Sequence, residues 1–431
     1  MSKRLVLIVP SFPKLSETFI LSKFLGLLER GWDVHMVCGI SEKAQYRHFP
    51  NLENHPWARR RIRVAWPHRP RWLAGLLLPF SFLHCLWSNP VGTWRYLRWG
   101  ARRFGWGVLR RFFLDANLLA LNPDLIHFEF GTLAAGRMYL RRLLGRKIVV
   151  SFRGYDLNSI GLESSDYYRE VWEEASALHF LGTDLWRRAQ RRGCPPDKPH
   201  TLIPPAIDGA FFNPGARAHN GILGTIQRPL RILSVGRLQW KKGYEYALAA
   251  AGRLVENGVR CQYRIVGDGK YLEPVAFARH QLGLKDTVKL LGAQTQMEIR
   301  EQMLWADVFL HSAVSEGFCN AVLEAQAMGL PIVCSDAGGL PGNVADGESG
   351  FVVPRRDAPA LAEKLAVLSR DPILRQKMGE AGRCRVLKQF QLTDQIEAYD
   401  RLYRSVLSDD SAKAKEWPAK KAEEVVLELG S

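Results

Sequence analysis

Cysteine is scarce in this chain, and its scatter excludes several kinds of site. The seven cysteines form no Cys-x-x-Cys pair, so their spacing favours neither a zinc centre nor a thiol redox motif. An odd number of cysteines spread along a chain is typical of reduced thiols in a cytoplasm. We therefore predict reduced thiols and no metal site.

Long apolar runs are missing as well. The N-terminal run, residues 5–9, is too short for a signal peptide and predicts a first strand. The longest other apolar stretch, residues 72–87, is interrupted by Pro79, Ser81 and His84. It is marginal for a spanning helix, which needs ~20 residues. With 431 residues, 47% hydrophobic and 24% charged, the chain has the composition of a cytoplasmic globular protein with room for two domains.

Acidic residues are missing from one long segment of a chain whose formal charge is +17. Residues 55–111 hold twelve arginines and seven tryptophans, but no lysine, aspartate or glutamate. The combination of arginine and tryptophan suits membrane headgroups best, because tryptophan partitions to the membrane interface and arginine pairs with phosphate. A groove for nucleic acid and a solvated basic face over core tryptophans are the alternatives. We predict an anionic membrane partner, at the inner face of an inner membrane, and not nucleic acid.

Apolar runs alternate with helical patterns along the chain, which predicts parallel sheets in an α/β fold. A first series of strands is expected at residues 5–9, 34–37, 124–130, 147–152, 177–181 and 200–203. A second series is expected at residues 230–235, 261–266, 287–291, 308–311, 331–335 and 350–353. Residues 204–227 are rich in proline, glycine and alanine, so we place the hinge between two doubly wound domains there. The charged tail, residues 408–431, is expected to lie outside both domains.

The strongest pattern begins at Glu316, continues through a turn and a helix, and includes Glu324. The turn between them consists of Gly317, Phe318, Cys319 and Asn320. A loop that leads into a helix presents free backbone N–H groups, which favour an anion. Ionised carboxylates are pure acceptors and therefore suit hydroxyl groups. An anion flanked by hydroxyls describes a nucleotide-diphosphate sugar.

A second pattern lies at residues 235–243, where a strand is followed by Gly236, Arg237 and Lys242. Gly236 allows a ligand to approach the backbone closely, and the cations Arg237 and Lys242 follow where the strand gives way to a helix. Breaking a sugar–phosphate bond builds negative charge on the departing diphosphate, which fixed cations stabilise. Lys241 is more simply explained as a solvated lysine.

Together with Gly-Gly-Leu-Pro at residues 338–341, these patterns resemble the retaining family-4 glycosyltransferases of the GT-B fold. The resemblance implies two doubly wound, Rossmann-like domains that face a cleft. Residues 1–205 would bind the acceptor, residues 206–390 would bind the nucleotide sugar, and the helix at 391–407 would cross back. Residues 11–20 are similar to a branch that builds bacterial exopolysaccharides such as colanic acid.

The resemblance also implies roles for single residues. Arg237 and Lys242 would grip the donor diphosphate, Glu324 would accept hydrogen bonds from the ribose, and Glu316 would bind hydroxyls near the reacting carbon. The backbone of residues 317–320 would hold sugar and phosphate oxygens, and Gly292 would contact the base. No protein nucleophile and no cofactor are expected, because the donor phosphate itself draws the acceptor proton.

In the first domain the pattern departs from the family. Arg153 replaces the histidine of a His-Gly-x-Asp element, which removes a group that titrates near neutral pH. Asp156 is a candidate for orienting the acceptor, with a helix cap as the alternative. His127 is a candidate at another strand end, with a structural histidine as the alternative.

The first loop departs from the family too. No glycine lies between Val9 and Phe19, so Ser16 and Thr18 at a helix start would replace the usual phosphate turn, with Ser16 as the helix cap. The missing G-x-G-x-x-G also counts against a dinucleotide-binding dehydrogenase.

The sequence therefore predicts a glycosyltransferase that acts on a glycan acceptor, in particular one linked to polyprenyl diphosphate. Two alternatives remain. One is a sugar-nucleotide epimerase or hydrolase, and the other is a catalytically silent relative that binds membranes or nucleic acid. Arg153, and Gly342 where the family often has glutamate, keep the silent relative open.

Overall fold

The computed structural model describes residues 3–14, 17–43, 46, 49, 52, 56–67, 70–215 and 221–408. These residues divide into two compact units. The first unit draws on Met1–Leu181, Trp186–Ile203 and Ile396–Ser431, and the second on Gly182–Leu185 and Pro204–Gln395.

The first unit is built on a parallel sheet, which has seven strands among the described residues, in the order β3-β2-β1-β4-β5-β6-β7. Residues 5–9 of β1 are buried without a break, as expected for a central parallel strand covered on both faces. The strands are β1 Arg4–Phe12, β2 Asp33–Ser41, β3 Ile62–Val64, β4 Leu125–Phe128, β5 Lys147–Phe152, β6 Ala177–Phe180 and β7 His200–Leu202.

Helices surround this sheet, and three of them form the arginine- and tryptophan-rich segment. In chain order they are α1 Thr18–Glu29, α2 Pro56–Arg59, α3 Arg71–Ser88, α4 Pro90–Phe104, α5 Gly107–Leu121, α6 Gly131–Ala134, α7 Tyr139–Leu144, α8 Gly154–Asn158, α9 Arg169–Glu174 and α10 Thr183–Arg191. In the described part of the chain, no helix combines the length and the apolar character that crossing a bilayer requires.

The second unit has a parallel sheet of six strands among the described residues, in the order β10-β9-β8-β11-β12-β13. The strands are β8 Leu230–Val235, β9 Cys261–Val266, β10 Val288–Leu290, β11 Val308–His311, β12 Ile332–Ser335 and β13 Gly350–Val353. A single 3₁₀ turn, Trp240–Lys242, follows β8. The helices are α11 Tyr244–Glu256, α12 Leu272–Gln281, α13 Gln296–Trp305, α14 Asn320–Ala327, α15 Leu340–Asn343, α16 Ala358–Arg370 and α17 Pro372–Gln389. The last helix, α18 Leu392–Leu407, begins in the second unit and belongs to the first from Ile396 onward.

Alternate residues of β8 pack into two separate apolar layers, one on each face of the sheet. Ile232 belongs to the layer that contains Leu248 and Leu365, whereas Leu233 belongs to the layer that contains Leu323. This is the period-two pattern of a strand with helices on both faces.

The end of α18 is tied to the first sheet by a buried relay of hydrogen bonds. His179 Nε2 lies 2.9 Å from the carbonyl oxygen of Ile203, so it must carry the proton and donate. Its Nδ1 then accepts from Ser151 Oγ at 2.7 Å, and Ser151 Oγ accepts from His127 Nε2 at 2.7 Å. His127 Nδ1 is left as an acceptor for the hydroxyl of Tyr403 in α18, at 2.6 Å. Each tautomer in the relay is therefore fixed by the carbonyl at its end.

The fold expected from the sequence is confirmed in its two parallel-sheet, Rossmann-like domains. Five strands have the predicted bounds, and the seven others that were predicted differ from them by one to four residues at an end. The short edge strand β3 was not predicted, because three residues are too few to establish an alternating pattern. The helix-start prediction needs a correction: Glu17 is the N-cap of α1 and its side chain makes no capping bond, while Ser16 lies outside the described residues.

We predict that Ser151→Ala lowers the free energy of unfolding by about 2–3 kcal/mol. The change leaves the Nε2–H of His127 and the Nδ1 of His179 without a partner in the core, and each buried unsatisfied group is expensive. Urea unfolding of the full chain measures it. Ser165→Ala, an exposed serine of the same unit, is the control and should stay within about 0.5 kcal/mol of wild type. Equal effects would contradict the relay.

Candidate active site

The order of strands in the second sheet creates a crevice between β8 and β11. From β8 the chain moves outward through β9 and β10, then returns to place β11 on the other side of β8. The loops after β8 and β11 therefore leave in opposite directions. Ligands of open α/β sheets bind at such a switch point, beyond the carboxyl ends of the strands.

Lys242 and Glu316 form an ion pair across this switch point. Lys242 follows β8 and Glu316 follows β11, and Lys242 Nζ donates to Glu316 Oε2. Both side chains are nearly buried. The two loops are also joined by their backbones, since Val314 N donates to the carbonyl oxygen of Lys241 at 2.8 Å. The pair is therefore held by folded structure on both sides.

Each member of the pair stabilises the charge of the other. Burial alone would raise the pKa of Glu316, but the ammonium of Lys242 and a hydrogen bond from His311 hold it well below its usual range. Burial alone would lower the pKa of Lys242, but the carboxylate of Glu316 holds it above its ordinary value. Both groups are charged at neutral pH.

His311 and Cys319 complete a compact cluster with Glu316. His311 Nε2 lies 3.4 Å from Glu316 Oε2, and one ligand-type atom from each of the three residues lies within 4.8 Å of the others. Nitrogen, oxygen and sulfur ligands would suit a zinc ion. However, Lys242 already neutralises Glu316 in this cluster and its ammonium would repel a cation. The charge balance of the cluster is complete without a metal.

Asn343 fixes the turn that follows Glu316. Its Oδ1 accepts from the backbone N–H of Cys319 at 3.1 Å, and its Nδ2 donates to the carbonyl oxygen of Cys319 at 3.0 Å. A Cβ atom on Gly339 would lie 1.8 Å from the carbonyl oxygen of Gly317, so only glycine permits this approach. The second glycine of Gly-Gly-Leu-Pro thus packs directly under the turn at residues 317–320.

A second glycine contact shapes the loop after β8. Gly267 has φ +143°, and a Cβ there would lie 2.0 Å from the carbonyl oxygen of Gly236. Gly267 N donates to Gly292 O at 2.8 Å, which brings the predicted base-contacting glycine beside the same loop. Arg237 is exposed at this edge of the sheet. Gly236, Arg237 and Gly292 therefore belong to neighbouring loops.

The remaining predicted donor contacts lie on α14. Asn320 is its first residue and Phe318 precedes it, both partly buried. Glu324 is one turn further along, also partly buried, and burial raises its pKa to about 7. Near neutral pH this carboxyl group changes its charge readily.

The first unit carries a comparable ion pair at its own switch point, between β1 and β4. Lys23 Nζ in α1 donates to Glu129 Oε1 at 2.6 Å, and Arg153 NH2 donates to Glu129 Oε2 at 3.0 Å. Burial lowers the pKa of Lys23 to about 8. Arg153 also lies over the ring of Phe19, 4.1 Å from its centroid, so it sits beside the start of α1. Thr18 opens that helix.

Asp156 and His127 are both buried among partners. The two carboxylate oxygens of Asp156 accept from the backbone N–H groups of Thr132 and Arg153, at 3.0 and 2.9 Å. This geometry favours the capping role over acceptor orientation. His127 belongs to the relay that ends at Ile203, which favours the structural reading of that histidine. Ser16 lies outside the described residues.

Three contributors were missed from the sequence. His311 ends a predicted strand five residues before Glu316, and that position was the available signal. Lys23 lies alone on an apolar helix face, which indicates a buried partner. Asn343 offered no signal, because its contact to Cys319 spans two secondary-structure elements.

Comparison with known proteins agrees with the resemblance seen in the sequence. Residues 218–385 match the family described as glycosyl transferases group 1, so the chain carries that domain. The glycosyltransferase named for colanic acid biosynthesis in Salmonella typhimurium, WcaL, is 28% identical over 381 residues, covering 83% of this chain and 89% of the relative. The amylovoran biosynthesis glycosyltransferase AmsK of Erwinia amylovora is 28% identical over 394 residues, covering 85% and 91%. The predicted resemblance to glycosyltransferases of exopolysaccharide biosynthesis is confirmed at the level of this domain and these relatives.

Solved structures share the fold. Sucrose-phosphate synthase from Thermosynechococcus elongatus superposes with a TM-score of 0.71 at 18% identity, over 94% of this chain and 100% of that one. Anabaena Alr3699/HepE, in complex with UDP and glucose, gives 0.68 at 14% identity, over 94% and 100%. At these identities the likeness concerns the fold alone.

We predict that the Lys242–Glu316 pair behaves as one unit in a double-mutant cycle. Lys242→Met and Glu316→Gln should each lower the free energy of unfolding by about 3–5 kcal/mol, because each leaves a buried charge without its partner. The double variant, which buries no net charge, should lose far less than the sum. Urea unfolding of the four proteins measures it.

The pH dependence of the free energy of unfolding provides a second test of the Lys242–Glu316 pair. The pKa of Glu316 is lowered in the fold, so its contribution is present above the usual carboxyl range and is lost as the pH falls. The double variant should lose that acid sensitivity. Lys241→Met, at the neighbouring lysine, is the control. Strictly additive single effects would contradict the pairing.

Proposed function

We propose that this chain, a glycosyltransferase with a group 1 domain, moves a sugar from a nucleotide-diphosphate sugar to a glycan acceptor. In this proposal the second unit binds the donor and the first unit binds the acceptor. The observation that carries it is the Lys242–Glu316 pair at the switch point of the second sheet, with Arg237 on the adjacent loop. Solved HepE structures of the same fold hold UDP and UDP-glucose, which supports a nucleotide sugar as donor.

The proposed donor is recognised by charge and by hydroxyl acceptors together. Arg237 and Lys242 supply positive charge for the diphosphate, and that charge counts most when the sugar–phosphate bond breaks. Glu316 stays ionised and fixed by Lys242, so it can accept hydrogen bonds from the transferred sugar. The N-terminal turn of α14 offers backbone N–H groups to the phosphates.

The proposed transfer retains the anomeric configuration. In the first unit Asp156 is fully engaged by two backbone N–H groups, and His127 is held neutral by burial within its relay. Neither is arranged as a nucleophile or a general base. This supports a reaction in which the leaving phosphate takes the acceptor proton and the protein acts by positioning and electrostatics.

The proposed setting is exopolysaccharide biosynthesis, following the named roles of WcaL and AmsK. The acceptor would then be a glycan linked to polyprenyl diphosphate, and the enzyme would work at the inner face of the inner membrane. Arg153, beside the start of α1, is the least buried member of the first unit's ion cluster and would meet an anionic or hydroxyl group of that acceptor.

We predict a thermal shift when the purified protein meets its nucleotide. Among UDP, GDP and ADP and their common sugars, one nucleotide in excess should stabilise the protein by roughly 2–4 kcal/mol, at about 100–1,000 times its dissociation constant. Lys242→Ala should abolish the shift, measured against its own unliganded melting temperature. No metal is added.

Lys241→Ala is the matched control for this experiment, since it removes the same charge one position earlier. It should keep the shift. Loss of the shift in both variants would indicate a general requirement for positive charge and not the predicted contact. Absence of a shift with every nucleotide would contradict the donor site.

We predict that nucleotide affinity falls as the pH drops below about 7. Burial raises the pKa of Glu324 to about 7, and only its ionised form is a pure acceptor for ribose hydroxyls. Binding therefore requires loss of that proton, and affinity should fall by at most about tenfold per pH unit below that value. Calorimetric titration between about pH 8 and about pH 6 measures the slope.

Glu324→Gln is the control, because it keeps the size of the side chain and cannot titrate. It should bind more weakly at high pH and show only the pH dependence that belongs to the nucleotide. Equal slopes in the two proteins would exclude Glu324 from ribose recognition.

A further inference from the structure

Helix α3 presents an apolar face to the outside of the first unit. Five of its six exposed large apolar residues follow helical spacing along the whole helix, with Leu86 beside them: Trp72, Leu76, Phe80, Leu83 and Trp87. Trp87 is 92% exposed and Phe80 is 64% exposed. From residue 72 to residue 87 the stripe extends over ~22 Å at 1.5 Å per residue. Solvent-facing helix positions normally carry charged or polar side chains, so this face is unusual for a soluble protein.

The opposite face of α3 packs against α5, so the apolar stripe must face away from the core of the first unit. Cys85 Sγ donates to the carbonyl oxygen of Ala116 in α5 at 3.2 Å, and Phe82 packs against Phe112 of α5 with ring centroids 6.1 Å apart. Ser81 is also fully buried. The helix therefore packs its core-facing side and leaves the stripe without a partner among the described residues of the first unit.

The apolar face continues across the turn at Asn89 and then becomes basic. Val91 and Trp94 are exposed at the start of α4. Arg95 lies four residues after Val91 and Arg98 lies four after Trp94, so each shares a helix face with an exposed apolar residue. Arg102, Arg103 and Arg110 are exposed beyond them.

No acid offsets this charge on the surface of the three helices. In α3, α4 and α5 the sequence holds one acidic residue, Asp115. It is buried and accepts from the hydroxyls of Tyr96 and Tyr139 and from Arg137, at 2.8, 2.6 and 2.6 Å. Between Arg71 and Arg95 the sequence has no Lys, Arg, Asp or Glu at all. The surface thus combines an uncharged stripe with an edge to which its own helices contribute only cations. At the far end of that edge, Glu170, Glu173 and Glu174 of α9 line a pocket with Arg103 and Arg111.

We propose that this surface docks on an anionic lipid bilayer, with α3 lying in the plane of the interface. Phe80, Leu83 and Trp87 enter the headgroup–acyl boundary, and the arginines of α4 lie at the level of the phosphates. A helix of this length and composition lies on a bilayer when it is apolar on one face and its neighbours supply positive charge. Tryptophans at both ends of the stripe suit the interface, where an amphipathic ring is favoured.

An anionic bilayer fits better than a second copy of the chain or a nucleic acid. A self-complementary dimer would bring the arginines of one α4 close to those of the other, which is repulsive. Nucleic acid would use the arginines, but it would leave the leucines and Phe80 of the stripe exposed. Only a bilayer meets both halves of the surface at once. This inference names the surface by which the proposed enzyme would bind its membrane. It rests on the proposed function only for the identity of that membrane, not for the binding itself.

Flotation of the full chain with lipid vesicles tests the docking surface. The protein should float with vesicles of phosphatidylcholine mixed with phosphatidylglycerol at low salt, and much less with phosphatidylcholine alone. Phe80→Glu should lower the partition coefficient by at least about tenfold, because it places a charge where an apolar ring is buried. Phe277→Glu is the matched control, since Phe277 is a helix residue of the second unit with the same 64% exposure. It should float like wild type.

Folding and donor binding are checked in the same two variants. Both should keep the wild-type melting temperature and the nucleotide-dependent shift, so a docking failure is separated from a failure of the glycosyltransferase proposal. Equal flotation of the two variants would overturn the proposal, as would a wild-type protein that ignores anionic vesicles. It would equally be overturned if Phe80→Glu only converted a dimer to a monomer, or if an oligonucleotide bound and vesicles did not compete.

Discussion

A lysine–glutamate pair spans the switch point of each sheet, and the arrangement of both units depends on this constraint. In each sheet the two central strands carry the chain away in opposite directions, which leaves polar loop ends facing one another. Lys23 with Glu129, and Lys242 with Glu316, bring opposite charges to those ends. A buried charge is tolerated only beside its partner, so each pair fixes the register of two loops that are remote in sequence.

The two pairs have different electrostatic settings, and this difference favours a structural role for the first pair and supports the binding role that we propose for the second. Lys23 is fully enclosed, with the ring of Tyr399 3.7 Å away and burial lowering its pKa to about 8. Glu129 needs a second cation, Arg153, to complete its contacts. Lys242, by contrast, has its pKa held above the ordinary value, beside an exposed Arg237 and an open helix N-terminus. Both clusters hold two cations and one carboxylate, but the second cation is nearly buried in the first unit (Arg153) and exposed in the second (Arg237), where an anionic ligand would use it.

The sequence predicted what is local and missed what is tertiary. The strand bounds and the order Gly236, Arg237, Lys242, Glu316 and Glu324 follow from short runs, because parallel strands buried on both faces read as continuous apolar segments. The burial of Lys23 could not be predicted in the same way, since its partner Glu129 is 106 residues away. Asn343 was missed for the same reason. For α3 the composition predicted tryptophan and arginine at a surface, but periodicity alone does not say which face a neighbouring helix covers.

The formal charge of +17 is therefore not spread evenly over the molecule. Its positive side chains are grouped at separate sites, each of which attracts an anion. Buried cations such as Lys23 are neutralised by a carboxylate inside the fold. The carboxylate of Asp115 is likewise buried and accepts hydrogen bonds from two tyrosines and an arginine, so it does not offset the surface charge. Exposed positive charge lies, among other places, beside the second unit's switch point and along the outer edge of α4. The first is confined to the loop after β8, whereas the second extends along a helix. An enzyme that joins a charged soluble donor to a lipid-linked acceptor would need an anion-binding surface at both of these scales, and the same residue chemistry supplies each.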